Sequence, residues 1–231
     1  MTTPDPLLLI PGMMCDARLF APQVAVFSAT RSVMIAPLTG DTVTQIAENI
    51  LATAPPKFAL VGLSMGGIVA MEIMAQAPER ISRIALLDTN PKAEYPKIAA
   101  GREPQITAAI AGDLRRVMRE EMKPNYLADG PNQGAILDLC MAMAETIGPK
   151  AFVQQSRALQ TRPDQQDTLR KVDVPALVLC GEDDALCPVH RHTLMADLIP
   201  NATLEIIPGA GHLPTLEQPQ LTNKALMQWL T

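Results

Sequence analysis

Phe58-Ala59-Leu60-Val61-Gly62-Leu63-Ser64-Met65-Gly66-Gly67 is the stretch on which the reading of this chain turns. An apolar run of strand length leads into G-x-S-x-G, and a helical pattern from Met65 to Gln76 follows, ending before Pro78. The pentapeptide by itself arises often by chance. A strand before it and a helix after it make it a nucleophile elbow, a tight turn that lifts a serine hydroxyl clear of the sheet edge. Glycine is required at 62 and 66 because a Cβ there would strike neighbouring backbone. The Met65 amide, at the positive end of the helix, then faces any oxyanion formed at Ser64.

Five more apolar runs have strand length: Leu7 to Ile10, Val33 to Ala36, Ile84 to Leu87, Ala176 to Leu179 and Leu204 to Ile207. Most lack polar alternation, as strands covered on both faces do, so a mostly or wholly parallel sheet of about six strands is expected. Helical patterns fill the gaps: Thr42 to Ala54 behind Asp41 as a possible cap, Met65 to Gln76, His190 to Leu198, and Gln218 to Leu230. Strand and helix alternate, which makes the class α/β. The alternation fails between Pro91 and Val172. There the helical patterns Ile106 to Met122, Gly134 to Ile147 and Lys150 to Leu159 are broken by Pro104, Pro124, Pro131, Pro149 and Pro163. About eighty residues far exceed an ordinary connection, so a helical cap inserted after the fourth strand is preferred over an irregular crossover. The expected division is a core of 1–90 and 173–231 with a cap of 91–172.

A serine needs a base within hydrogen-bond reach. Of three histidines, His190 and His192 open a helix, whereas His212 lies in the loop Pro208-Gly209-Ala210-Gly211-His212-Leu213-Pro214 after the last strand. Loops at strand ends are where a base belongs, so His212 is the candidate. His190 and His192 read as ordinary helix residues, and with Cys187 they match no convincing metal spacing. The base needs an orienting acid, and Gly181-Glu182-Asp183-Asp184-Ala185-Leu186-Cys187-Pro188 follows a strand directly. Asp184 is preferred. Asp183 next to it and Asp88 after the strand ending at Leu87 remain alternatives.

With 231 residues, 48 % of them apolar, the chain can bury one substantial core. A net charge of −5 with scattered basic residues leaves no footprint for nucleic acid or an anionic membrane, and no run is long enough to span a bilayer. Met1 to Pro6 carries no positive residue and the apolar run behind it is four residues long, unlike an export signal. Cys15, Cys140, Cys180 and Cys187 fit no zinc spacing and read as reduced thiols. The expectation is a cytoplasmic protein, monomer or homodimer, with a small-molecule partner, no cofactor and no metal. Met13, Met14 and Met65 suggest an apolar, adaptable pocket, although core packing explains methionines as readily. Arg115 and Arg119 share a helical face, where they would hold a substrate carboxylate or an acidic carrier protein, or simply face water.

These residues together resemble an α/β-hydrolase of the small capped esterase, enol-lactonase and C–C hydrolase group. The resemblance rests on Leu9-Ile10-Pro11-Gly12-Met13, Gly62 to Gly67, Val174-Pro175 before Gly181-x-x-Asp184-x-x-x-Pro188, and Gly211-His212. It runs serine, acid, histidine along the chain. It implies a triad of Ser64, Asp184 and His212, an oxyanion hole of the Met13 and Met65 amides, and Met14 and Leu213 near the substrate. Many relatives carry His-Gly where this chain has Pro11-Gly12, so a supporting histidine is absent. The first strand here corresponds to the family's third, so a sheet without the amino-terminal antiparallel strands is expected. Cleavage of a small or medium carboxylic ester is the expected activity. A lactonase, a C–C bond hydrolase, an acyl-carrier methyl ester hydrolase and a non-catalytic ligand receptor are the alternatives, and the cap, which the resemblance covers least, holds the answer.

Overall fold

The computed structural model describes residues 4–231. Six strands, β1 (Leu7–Ile10), β2 (Val33–Ile35), β3 (Phe58–Leu63), β4 (Ile81–Leu87), β5 (Ala176–Gly181) and β6 (Ala202–Ile207), form one sheet in the order β2-β1-β3-β4-β5-β6. Among the described residues every pairing is parallel, with Leu9 opposite Val61 and Val61 opposite Ala85.

Alternation along each strand sends side chains to two cores. Leu8, Ile10, Leu60, Ile84 and Val178 pack against helices α2 (Val43–Thr53) and α3 (Met65–Gln76). Leu7, Leu9, Val61, Ala85 and Leu179 pack on the opposite face with Phe20 and Phe27, the latter closing helix α1 (Ala21–Phe27), and with Leu226 and Trp229 from a carboxyl-terminal helix. The inner strands β1, β3 and β5 are buried throughout, whereas edge strands β2 and β6 are half exposed. Ten successive residues from Met65 to Met74 are buried in α3, so its lack of amphipathic pattern reflects cover on all sides.

Thr42, and not Asp41, caps α2: its hydroxyl accepts from the Gln45 amide while the Gln45 side chain accepts from the Asp41 amide. Between β4 and β5 the described residues contain helices and turns and no strand. Helix α4 (Pro96–Ala108) runs through Pro104, where a break was expected, because Ala100 and Pro104 are exposed and water can serve the carbonyl that loses its amide partner. The expected helix over 106–122 is instead interrupted at Gly112, whose φ of 94° leaves the helical region. The segments Gly134 to Ile147 and Lys150 to Leu159 join as one kinked helix, α5 (Gln133–Gln160), with the kink at Gly148-Pro149. Helix α6 (Val189–Leu198) joins β5 to β6, and α7 (Pro219–Trp229) ends the chain's regular structure. All four cysteines are free, and among the described residues no helix is long and apolar enough to cross a membrane.

Candidate active site

The carboxyl ends of β1, β3, β4 and β5 converge on Ser64. Its backbone sits at φ 56° and ψ −117°, a conformation that costs a non-glycine residue about 1–3 kcal/mol and so persists only where the surroundings impose it. They do so here by close approach. A Cβ on Gly62 would stand 2.2 Å from the Gly66 carbonyl oxygen, and one on Gly66 would stand 2.0 Å from that of Ile10. The Ser64 amide donates to the Leu87 carbonyl, and its carbonyl accepts the Thr89 hydroxyl at 2.7 Å, a support invisible in the sequence.

His212 Nε2 lies 2.8 Å from Ser64 Oγ, and its Nδ1 lies 2.8 Å from Asp184 Oδ2. An ionised carboxylate only accepts, so Nδ1 carries the ring proton and Nε2 presents its lone pair to the Ser64 hydroxyl. Burial alone would raise the Asp184 pKa, but bonds from His212 and from the amides of Cys187 and Leu186 outweigh it and hold the carboxyl below its ordinary range.

The other two acids lie elsewhere. Asp183 is exposed and meets the last strand's loop only through its amide. Asp88 is fully buried at φ 45°; its Oδ1 accepts from the Gly181 amide and its Oδ2 has no ordinary acceptor contact. Burial, reinforced by the neighbouring Asp184 charge, raises the Asp88 pKa well above the usual carboxylate range, the opposite of the shift at Asp184.

The loop of His212 is tied down by residues that the sequence did not announce. The His212 amide donates to Tyr126 O at 2.7 Å, and Glu217 accepts from the amides of Gly211, Leu213 and Ala128 at 2.8 to 2.9 Å. His192 also proves buried, with Nε2 accepting from the Thr89 amide at 3.0 Å, while His190 is exposed. Asp184, Cys187 and His212 offer ligand atoms within 4.8 Å of one another. The facing Asp184 and His212 atoms already bond each other, and burial keeps the Cys187 thiol protonated, which is a poor set for a metal.

Ser64 and His212 open onto a cavity of ≈ 540 Å³ between the sheet edge and the segment joining β4 to β5. Met13, Ile68, Met122, Tyr126 and Leu159 form its apolar wall, and Met65 also lines it. Among the described residues no protein acceptor takes the amides of Met13 or Met65. Met14 and Leu213 are buried outside this lining; the Met14 amide instead donates to Gln155 Oε1 at 2.8 Å. Arg115 and Arg119 are exposed and stay away from the cavity, Arg115 pairing with Glu145 across the surface. The cations that do line it are Lys97, Arg102, Arg162 and Arg191. Spread over nearly a hundred residues of chain, they form no local sequence pattern.

With this parallel sheet, serine elbow and row of Asp184, His212 and Ser64, residues 7–225 match the model of the alpha/beta hydrolase family. The chain belongs to that family, and hydrolysis is the chemistry that membership supports. It is 25 % identical over 180 residues to a pimeloyl-[acyl-carrier protein] methyl ester esterase of Aeromonas hydrophila, covering 76 % of this chain and 71 % of that one. Among solved structures, a malate-bound thermophilic esterase of Thermogutta terrifontis superposes with a TM-score of 0.85 at 27 % identity, over 100 % of this chain and 90 % of the other. The enol-lactonase of Burkholderia xenovorans has the same fold, with a TM-score of 0.88 at 20 % identity, over 99 % and 92 % of the two chains.

Proposed function

We propose that the chain hydrolyses carboxylic esters of small or medium acyl groups through an acyl-enzyme on Ser64. The observation that carries this is the relay from Asp184 to His212 to Ser64, two contacts of 2.8 Å that end at the floor of a cavity. His212 takes the hydroxyl proton as Ser64 Oγ bonds to the ester carbonyl carbon. The amides of Met13 and Met65, free of protein acceptors, receive the oxyanion. The imidazolium returns its proton to the departing alcohol, and water, deprotonated by the same ring, then releases the acid. Asp184 keeps Nδ1 protonated and stabilises the imidazolium without itself taking the proton.

The segment 91–172 acts in this reading as a cap over the sheet edge, with Met122, Tyr126 and Leu159 bounding the acyl pocket. The esterases among the relatives support an ester as substrate. A lactone fits the same steps, the leaving alcohol staying attached to the acyl chain, and product analysis tells the two apart. The test is labelling by a fluorophosphonate, which should modify Ser64 alone and fail on Ser64→Ala. Modification of another serine, or modification that persists in that variant, removes the proposal.

A further inference from the structure

The cavity wall also carries an ion cluster whose charges do not cancel. The Glu94 side chain, only 4 % exposed, sits between two guanidinium groups, with Arg102 Nε at 2.5 Å and an Arg162 Nη at 3.4 Å. One carboxylate thus faces two cations, and the Arg162 Nε–H finds no acceptor. Arg191 lines the same space and donates to neutral partners, the Leu186 carbonyl and the Cys187 sulfur. Glu121, the other acid in the lining, is already paired with Arg116 and bonded by Gln105. So a chain of net charge −5 places uncompensated positive charge on the wall of its cavity.

Position and energetics both bear on what this charge is for. Arg102 reaches the Met13 sulfur at 4.0 Å, which puts the cluster one side chain away from the amide beside Ser64. Burial pushes the Arg162 pKa down, the sign of a cation held with little water around it. An underpaired buried cation is costly, and an anion entering the cavity would repay that cost with charge-assisted bonds. Resting on the hydrolase reading above, we infer that Arg102 and Arg162 select substrates bearing a carboxylate remote from the scissile ester. Glu94, in contact with both, holds the two guanidinium groups together at one place on the wall.

Monomethyl esters of succinic, adipic and suberic acids carry the carboxylate on the acyl side, and acetylated hydroxy acids carry it on the alcohol side. Each is compared with the neutral ester of equal chain length. At least one acidic ester should exceed its neutral partner about tenfold or more in kcat/KM, the worth of one good charge-assisted pair, and the advantage should shrink with added salt. In Arg162→Gln, and separately in Arg102→Gln, the ratio should fall toward one, and Arg162→Lys should recover part of it. The wild-type comparison decides the matter even if a variant fails to fold. Ester hydrolysis with no such preference overturns the inference and leaves the hydrolase reading intact. If no ester is cleaved, the thermal shift decides: adipate raising Tm where neutral hexanamide at equal ionic strength does not sustains the anion site and overturns the hydrolase reading, whereas no shift, or an equal shift by both, overturns both.

Discussion

Glu217 grips the backbone on both sides of His212: one carboxylate oxygen accepts from the Gly211 amide at 2.9 Å and the other from the Leu213 amide at 2.8 Å. A third bond, from Ala128 at 2.8 Å, ties the same carboxylate to the segment between β4 and β5. A ring that must lie within reach of two partners at once is therefore placed by an acid that touches neither.

Glu217→Gln should lower kcat about tenfold or more with little change in KM, because an amide NH₂ would face a backbone N–H in place of an acceptor and leave it unpaired at about 1–3 kcal/mol. The fluorophosphonate labelling rate of Ser64 should fall in step with kcat. An unchanged labelling rate in a destabilised protein would reduce Glu217 to a purely structural role.

The three candidate acids separate by mutation. Asp184→Asn should cost about three to four orders of magnitude in turnover, since an amide in place of the carboxylate favours the wrong His212 tautomer. Asp183→Asn, on an exposed side chain, should cost less than about tenfold. Comparable losses at both positions would contradict the geometry.

Asp88 offers a test of the opposite sign. Its folded pKa is raised, so its contribution to stability is complete below the unfolded pKa and is lost as pH rises through the folded value. Asparagine keeps an acceptor for the Gly181 amide without a proton to lose. Asp88→Asn should therefore retain activity within about tenfold of wild type and unfold at higher denaturant than wild type at alkaline pH. A collapse of turnover in this variant, with Asp184→Asn active, would move the acid to β4.

His192 sets an acid limit on stability. Burial lowers its pKa from 6.5 to about 4, so the folded state binds fewer protons than the unfolded chain between those values. Stability present above 6.5 is lost as pH falls toward 4, by about 3 kcal/mol at most. Denaturant melts of wild type and His192→Gln across that interval should show a shallower pH slope in the variant. Parallel slopes would mean that other groups govern acid unfolding.

What the sequence by itself determined lies within short reach along the chain. Apolar runs of four residues marked the strands, and Gly62, Ser64 and Gly66 marked the elbow, because strand burial and turn sterics act between neighbours. The end of β5 and the loop after β6 likewise named Asp184 and His212 as candidates, since residues at strand ends share one edge in any parallel sheet. Only the tertiary structure decided which acid meets the ring: Asp184 and Asp183 are adjacent in sequence, and the loop closed by the Leu186 and Cys187 amides turns one inward and the other to water. It also decided which arginines face the cavity. Arg115 and Arg119 had the helical spacing of a binding pair but point to the surface, while Arg102 from α4 and Arg162 just past α5 meet across Glu94. Periodicity within one helix reports which residues share a face, not what that face meets, and the kinks at Gly112 and Gly148 reset that facing from one segment to the next.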